Sequence, residues 1–390
     1  MKIAISGDCL SVFTSAYPVR GMLLELIKQR QDDLFIIFYT QRPRPKMLKS
    51  FFEQLHALPN VKTRYFKWNR YVVGLQRFLT LSNYFPIDNS YDIFINPSYL
   101  EYVRAFKGVQ IANITDLSIL HSQASIPHAK IWKLQNKFAK SFYFRLKDLN
   151  VVSISEYTKQ DIHRYFKRVN TRINVIYNGI DDFWFDNHYI ENSLTNQYQN
   201  RAYFIWWGFM SRRKNLINML LAYEELVKEK CEVPDMLIIG NIAEHLKKEI
   251  TPLMERNAKI IHLPFQEEYV LKTLVKNSKG LIFPSFYEGF GLPVIEAYSQ
   301  GVPVACSNVT SLPEIANGFS FLFDPNNRIE IKEAFLHLLN FNKESNSPLL
   351  IQYARQFTYK KAAEAYNKLI NKMVWFGKLY VMEYLPCFYV

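Results

Sequence analysis

Two glutamates, Glu288 and Glu296, flank a glycine-bearing turn in the stretch FPSFYEGFGLPVIEAYSQGVPVA, residues 283 to 305. The apolar pattern GLIFP runs into that turn as a strand. Pro293 suits the first turn of a helix, where its missing N–H costs nothing, and Gly301 can end that helix. The backbone N–H groups of Gly289, Phe290, Gly291 and Leu292 would then converge at a helix N-terminus, which favours a phosphate oxygen. A carboxylate beside phosphate would repel it, so the two glutamates suit neutral hydroxyls on either side. Hydroxyls flanking a diphosphate describe a nucleotide sugar. A generic strand-turn-helix, with Glu296 as a partner of the helix dipole, satisfies the same pattern. Upstream, SRRKN (211 to 215) opens a helix after another apolar strand. Arg213 and Lys214 would there meet the negative charge that grows on a diphosphate leaving group, with Arg212 a solvated neighbour. His163, His245 and His262 stand isolated, which suits surface or packing positions better than a metal site.

The elements that must position these residues alternate along the chain. KIAIS (2 to 6), LFIIFYT (34 to 40), YDIFINP (91 to 97), VQIANIT (109 to 115), LNVVSIS (149 to 155) and INVIYNG (173 to 179) read as buried strands. RGMLLELIKQR and SEYTKQDIHRYFKR read as helices, the second capped by Ser155. The polar, weakly periodic DDFWFDNHYIENSLTNQYQN (181 to 200) reads as a domain boundary. Strands then resume at 202–208, 235–240, 259–265, 279–285, 302–307 and 320–325. Alternation of this kind predicts doubly wound parallel sheets, here in two Rossmann-like domains facing a cleft at the carboxyl ends of their strands. The expected divisions are 1–182 for an N-terminal, acceptor-binding domain, 183–200 for a linker, and 201–371 for a nucleotide-sugar-binding domain. A tail over 372–390 would pack back on the first domain or carry an apolar patch.

The length, 390 residues, exceeds what one core usually supports, in keeping with two domains. The four cysteines, Cys9, Cys231, Cys306 and Cys387, lie far apart and suit a reducing compartment. No run is long and apolar enough to span a bilayer. Net charge is +13 and concentrated in the N-terminal half: residues 41–77 and 128–172 each carry an excess of eight positive charges. Such an excess suits a polyanionic partner or a solvated face. In KTRYFKWNRYVVGLQRF (62 to 78), Tyr65, Phe66, Trp68 and Tyr71 interleave with cations, so this segment either lies on an anionic membrane surface or buries its rings in the domain core. No nucleic-acid motif accompanies the charge.

The segment EGFGLPVIE resembles the Glu-x7-Glu signature of the retaining glycosyltransferases of the GT-B fold, family 4. GFMSRRKN (208 to 215) is similar to the Gly-x-x-x-x-Arg-Lys-Asn loop of that family. VVSISEYTKQDI, INVIYNGID, SLPEI and FLFDP resemble further elements, in family order from about residue 109 to 325. The resemblance implies that Glu296 binds the nucleotide ribose, that Glu288 contacts the donor sugar, and that residues 289 to 292 with Gly208 line the donor site. Lys214 and Arg213 would neutralise the leaving diphosphate. It implies further that no cofactor or metal is needed, the nucleoside-diphosphate sugar being the co-substrate.

Three departures accompany the likeness. ITDLS places Thr115 where the family usually has a histidine before its aspartate, here Asp116; a backbone carbonyl can keep the charge-steadying role there, while an imidazole cannot. The first strand lacks the usual glycine-rich loop, retaining Gly7 and Gly21, so the acceptor cannot be borrowed from the family. Phe209 stands where several relatives carry an arginine. The expected activity is transfer of a hexose, mannose first, to a glycan or lipid-linked acceptor, at the cytoplasmic face of a membrane. The rival readings are a non-catalytic partner subunit that binds sugar nucleotides and a basic nucleic-acid-binding protein.

Overall fold

The structure, a computed structural model, describes residues 1–7, 10, 17–39, 48–65, 90–97, 108–121, 150–166, 173–229 and 232–383, with the backbone alone at 119, 344 and 375–383. Most of the basic stretches, residues 66–78 of the aromatic segment and the tip of the tail fall outside the described residues, as do Cys9, Cys231 and Cys387. The chain forms two compact units. One contains Met1–Asp116, Lys137–Gly179 and Thr358–Val390; the other contains Leu117–Asn136 and Ile180–Phe357.

The N-terminal unit is built on β1 (Lys2–Ser6), β2 (Leu34–Tyr39), β3 (Val61–Tyr65), β4 (Ile93–Asn96), β5 (Val109–Ile114), β6 (Asn150–Ser153) and β7 (Ile173–Val175). They form one sheet in the order β3-β2-β1-β4-β5-β6-β7, every pairing parallel. Ile3 sits opposite both Phe35 and Ile93, so β1 is central and covered on both faces, which is why KIAIS is nearly all apolar. Helices α1 (Tyr17–Gln29), α2 (Lys49–Ala57) and α3 (Glu156–Tyr165) accompany it. Ser155 caps α3 as its sequence predicts, its Oγ accepting the Thr158 N–H at 3.0 Å. β3 is an edge strand whose polar VKTRY leaves Lys62, Arg64 and Tyr65 exposed, and charge on an edge discourages further strand pairing.

The C-terminal unit carries β8 (Tyr203–Trp207), β9 (Asp235–Ile239), β10 (Ile260–Leu263), β11 (Gly280–Phe283), β12 (Val304–Ser307) and β13 (Phe321–Phe323). Its parallel order is β10-β9-β8-β11-β12-β13. The helices are α4 (Ser193–Gln199), α5 (Leu216–Glu229), α6 (Lys247–Glu255), α7 (Glu268–Asn277), α8 (Leu292–Ser299), α9 (Leu312–Ala316), α10 (Arg328–Leu339) and α11 (Lys343–Ala354). Strand order reverses between β8 and β11, and it is at such a point that open α/β sheets bind ligands.

The units divide at other places than the sequence boundaries. Residues 183–200 are part of the C-terminal unit rather than a linker, because aromatic and charged anchors tie them down. Trp184 and Tyr198 are each 2% exposed. The fully buried Lys272 ammonium of α7 donates to the Asp186 carboxylate at 2.5 Å and to its carbonyl at 2.8 Å. Asn192 opens α4 with a reciprocal capping box to Thr195. At the other end, the last helix, α12 (Tyr359–Glu383), belongs to the N-terminal unit from its first residue. Tyr359, Ala363, Tyr366 and Ile370 enter the same core as Leu23 and Ile27 of α1. A Cβ on Gly21 would lie 2.0 Å from the Tyr359 ring, so glycine lets these two helices close. Among the described residues the chain passes between the units at Asp116–Leu117, at Gly179–Ile180 and at Phe357–Thr358.

Candidate active site

At the carboxyl end of β8 the chain turns through Gly208 (φ +137°) and runs into a 3-10 turn at Arg212–Lys214. Asn215 follows in the left-handed region (φ 56°), where its short amide is tolerated. That amide donates to the Pro284 carbonyl at 3.0 Å and to the Pro325 carbonyl at 2.7 Å. The Phe286 N–H donates to the Arg213 carbonyl at 2.9 Å. The loops after β8, β11 and β13 are thus fastened to one another, and the basic turn is held against the acidic one.

Beyond β11, Gly291 caps α8 with φ +108°, and Leu292 and Pro293 form its first turn. An added Cβ at Gly291 would meet only the tip of the Leu312 side chain, at 2.7 Å, so it is the positive φ that calls for glycine here. The loop over Glu288, Gly289 and Phe290 is pinned from the β12 side. Thr310 Oγ1 accepts the Glu288 N–H at 3.1 Å, and Ser311 Oγ lies 2.9 Å from both the Glu288 and Phe290 carbonyls.

Four charged side chains meet there. The Glu288 carboxylate accepts from Arg213 at 2.9 Å through one oxygen and from Lys214 at 2.7 Å through the other. Arg213 also donates to the Tyr287 carbonyl at 2.8 Å, which fixes its fork. Glu288 is 6% exposed. Burial alone would raise its pKa, but Arg213 and Lys214 outweigh burial and hold it down at about 2. Burial pulls the Lys214 ammonium below its ordinary range, and Glu288 opposes that pull. Glu296, 8% exposed on the first turns of α8, accepts the Trp207 indole N–H at 2.9 Å. Burial pushes its carboxyl up to about 7, with the Trp207 hydrogen bond acting the other way. One carboxylate is therefore locked as an anion. The other is poised near neutrality.

The structure thus brings Arg213, Lys214, Glu288, Gly289, Phe290, Gly291, Leu292 and Glu296 to one end of the C-terminal sheet, with Gly208 at the root of the basic loop. Arg212 is set apart, paired at the surface with Glu249 at 2.5 Å. Thr115 and Asp116 follow β5 in the N-terminal unit, both partly exposed. Phe209 is 51% exposed. Among the described residues no cluster of three or more His, Cys, Asp or Glu could hold a metal ion. No described helix is long and apolar enough to cross a membrane. Sequence reasoning missed Trp207, whose strand YFIWW reads simply as core, and Asn215, which reads as the end of the basic motif. It took Glu288 as facing the donor sugar alone, whereas its two oxygens also hold the site's cations.

Two doubly wound parallel sheets in this arrangement are the GT-B glycosyltransferase fold. Solved structures share it over nearly the whole chain. Sucrose-phosphate synthase of Thermosynechococcus elongatus aligns with a TM-score of 0.69 at 15% identity, covering 96% of this chain and 99% of that one. HepE of Anabaena, solved with UDP and glucose, aligns with a TM-score of 0.66 at 14% identity, covering 95% and 100%. Residues 192–357, all of them in the C-terminal unit, match the family of glycosyl transferases group 1. The O-antigen chain mannosyltransferase B of Escherichia coli is 34% identical over 166 residues, 41% of this chain and 43% of that protein. The serotype-specific mannosyltransferase WbdA of Escherichia coli is 26% identical over 236 residues, 57% of this chain and 29% of that protein. The chain thus spans less than half the length of these curated relatives.

Proposed function

We propose that the protein is a retaining glycosyltransferase that moves a hexose, mannose first, from a nucleoside-diphosphate sugar to a hydroxyl of a lipid-linked saccharide or surface glycan. The observation that carries this reading is the meeting of Arg213, Lys214, Glu288 and Glu296 where the order of the C-terminal sheet reverses. The names of the mannosyltransferase relatives support the sugar and the kind of acceptor. Glu296 accepts the ribose hydroxyls. Arg213 and Lys214 take the diphosphate, and the start of α8 lies beside it. Each Glu288 oxygen keeps a further lone pair, so this carboxylate can brace the cations and accept a sugar hydroxyl together.

Transfer then proceeds on one face of the sugar. The bond from anomeric carbon to phosphate oxygen breaks, the acceptor oxygen bonds to that carbon, and the departing phosphate oxygen takes the acceptor's proton. For Thr115 and Asp116, which follow β5 in the N-terminal unit, the proposed roles rest on the resemblance alone: a backbone carbonyl that steadies oxocarbenium-like charge and a carboxylate that shapes the loop. Fixed cations rather than a resident metal carry the leaving group in this scheme. Incubation with a panel of GDP-, UDP- and dTDP-sugars and a glycan acceptor is the test. Release of nucleoside diphosphate, undiminished by a chelator, is expected from one of them. Release from none would leave a binding protein.

A lipid-linked acceptor would bring the chain to the inner face of the cell membrane, and the exposed Lys62, Arg64 and Tyr65 of β3 suit an anionic surface. Co-sedimentation with anionic but not neutral vesicles is expected, weakening as salt rises. Equal recovery on both lipids would make a soluble acceptor the better choice.

A further inference from the structure

β8 ends in two adjacent indoles with different surroundings. Trp206 is fully buried, and its N–H has no hydrogen-bond partner among the described residues. Trp207, on the opposite face of the strand, donates to Glu296 Oε2 at 2.9 Å. An indole N–H can only donate, so this contact suits the ionised carboxylate. It also leaves Oε1 as the Glu296 oxygen not engaged by the indole.

We propose that Trp207 is a positioning residue for the donor: its indole N–H holds the Glu296 carboxylate in the ionised, ribose-accepting orientation and thereby sets how far into acid the protein can bind a sugar nucleotide. The inference rests on the glycosyltransferase reading above. Its physical basis is a contest at a buried carboxyl. Burial favours the neutral acid, and Glu268 in the first turn of α7 adds repulsion of the anion. Against them stand the Trp207 N–H and, more remotely, the charge of Lys214. A neutral acid would keep its proton on one oxygen and lose part of its power to accept from a ribose diol. Donor binding must therefore release a proton whenever the pH lies below the Glu296 pKa, and affinity falls as the solution is acidified through about 7.

Replacing Trp207 by Phe removes the donor while keeping an aromatic ring in the strand. Loss of a hydrogen bond to a charged group raises the Glu296 pKa by about one unit, so the acid limb of donor binding moves to higher pH. The experiment is calorimetric titration of the full chain with GDP-mannose, and with UDP-glucose if the first gives no heat, from pH 5.5 to 9, together with steady-state kinetics. For Trp207→Phe we expect donor affinity weakened on the order of tenfold near pH 7, recovery toward wild type at the alkaline end, and kcat at saturating donor nearly unchanged. Glu296→Gln, which cannot titrate, is expected to flatten the acid limb and to make Trp207→Phe silent in its background. That second variant keeps the question open to decision should the phenylalanine pack poorly. Wild type that binds neither sugar nucleotide would overturn the parent reading and this inference with it. Wild type that binds, beside a Trp207→Phe profile that does not move, would overturn this inference alone.

Discussion

Lys214→Ala is expected to lower turnover by about 10²-fold or more while leaving the acceptor KM little changed. The ammonium is held at 2.7 Å from Glu288 with its side chain only 13% exposed, in a short turn whose carbonyls and amides are tied to neighbouring loops. On the function proposed above, its attraction for a diphosphate would grow as the sugar–phosphate bond breaks, so its loss would be felt most in the transition state. The variant should still fold, because Arg213 remains at 2.9 Å from Glu288 and the buried carboxylate keeps a counter-charge. Steady-state kinetics at saturating donor, beside a melting curve, make the measurement. Turnover within a few-fold of wild type in a folded variant would remove the leaving group from this part of the molecule.

The second large effect concerns the scaffold beneath that loop. Gly240 closes β9 at φ +135°, and a Cβ there would lie 2.0 Å from the Gly208 carbonyl oxygen. That oxygen belongs to backbone held by the Gly208 N–H to Ile239 bond of 3.0 Å, so it cannot swing away as a side chain tip could. Strain in the left-handed region and displacement of a neighbouring strand end add, and Gly240→Ala should cost about 3 to 5 kcal/mol. In a unit of this size that amounts to a fall in melting temperature on the order of 10 °C. Gly318→Ala provides the contrast: φ is +77° but nothing lies within 4 Å of the added carbon, so it should lose only about 1 kcal/mol. Equal losses in the two variants would show that backbone conformation, and not the contact with Gly208, decides the matter.

The parallel strands were legible because burial on both faces makes them apolar runs, as in LFIIFY and YFIWW. β3 was not, since VKTRY at the sheet edge has the composition of a surface loop. The polar run after residue 181 looked like a linker because Trp184, Asp186 and Tyr198 anchor it singly, with no period to betray them. The return of the chain at Thr358 was hidden too, for nothing in a helix's own residues says which domain it will lie against. In the site, spacing alone placed Glu288 and Glu296 around the start of α8, and the basic motif supplied Lys214. The ion pairs of Glu288 reach Lys214, 74 residues away, and Arg213, 75 away, and the Trp207 bond spans 89. Contacts at such separation follow from strand order, which periodicity does not encode.

The paired crossings also bear on the descent of such chains. Within the C-terminal unit, Ile180 donates its N–H to the Phe357 carbonyl at 2.9 Å, so the stretch they enclose begins and ends at one spot. Within the N-terminal unit, Gly179 lies so close to Thr358 that a Cβ would stand 2.3 Å from its backbone. A piece whose ends meet can be lifted out of one gene and set into another without stretching its host, and the host's own ends would then rejoin where Gly179 already touches Thr358. The stretch from Ile180 to Phe357 can thus be inherited as a cassette while the sequence on either side of it diverges. The family match, which stops at residue 357, ends where such a cassette would be cut.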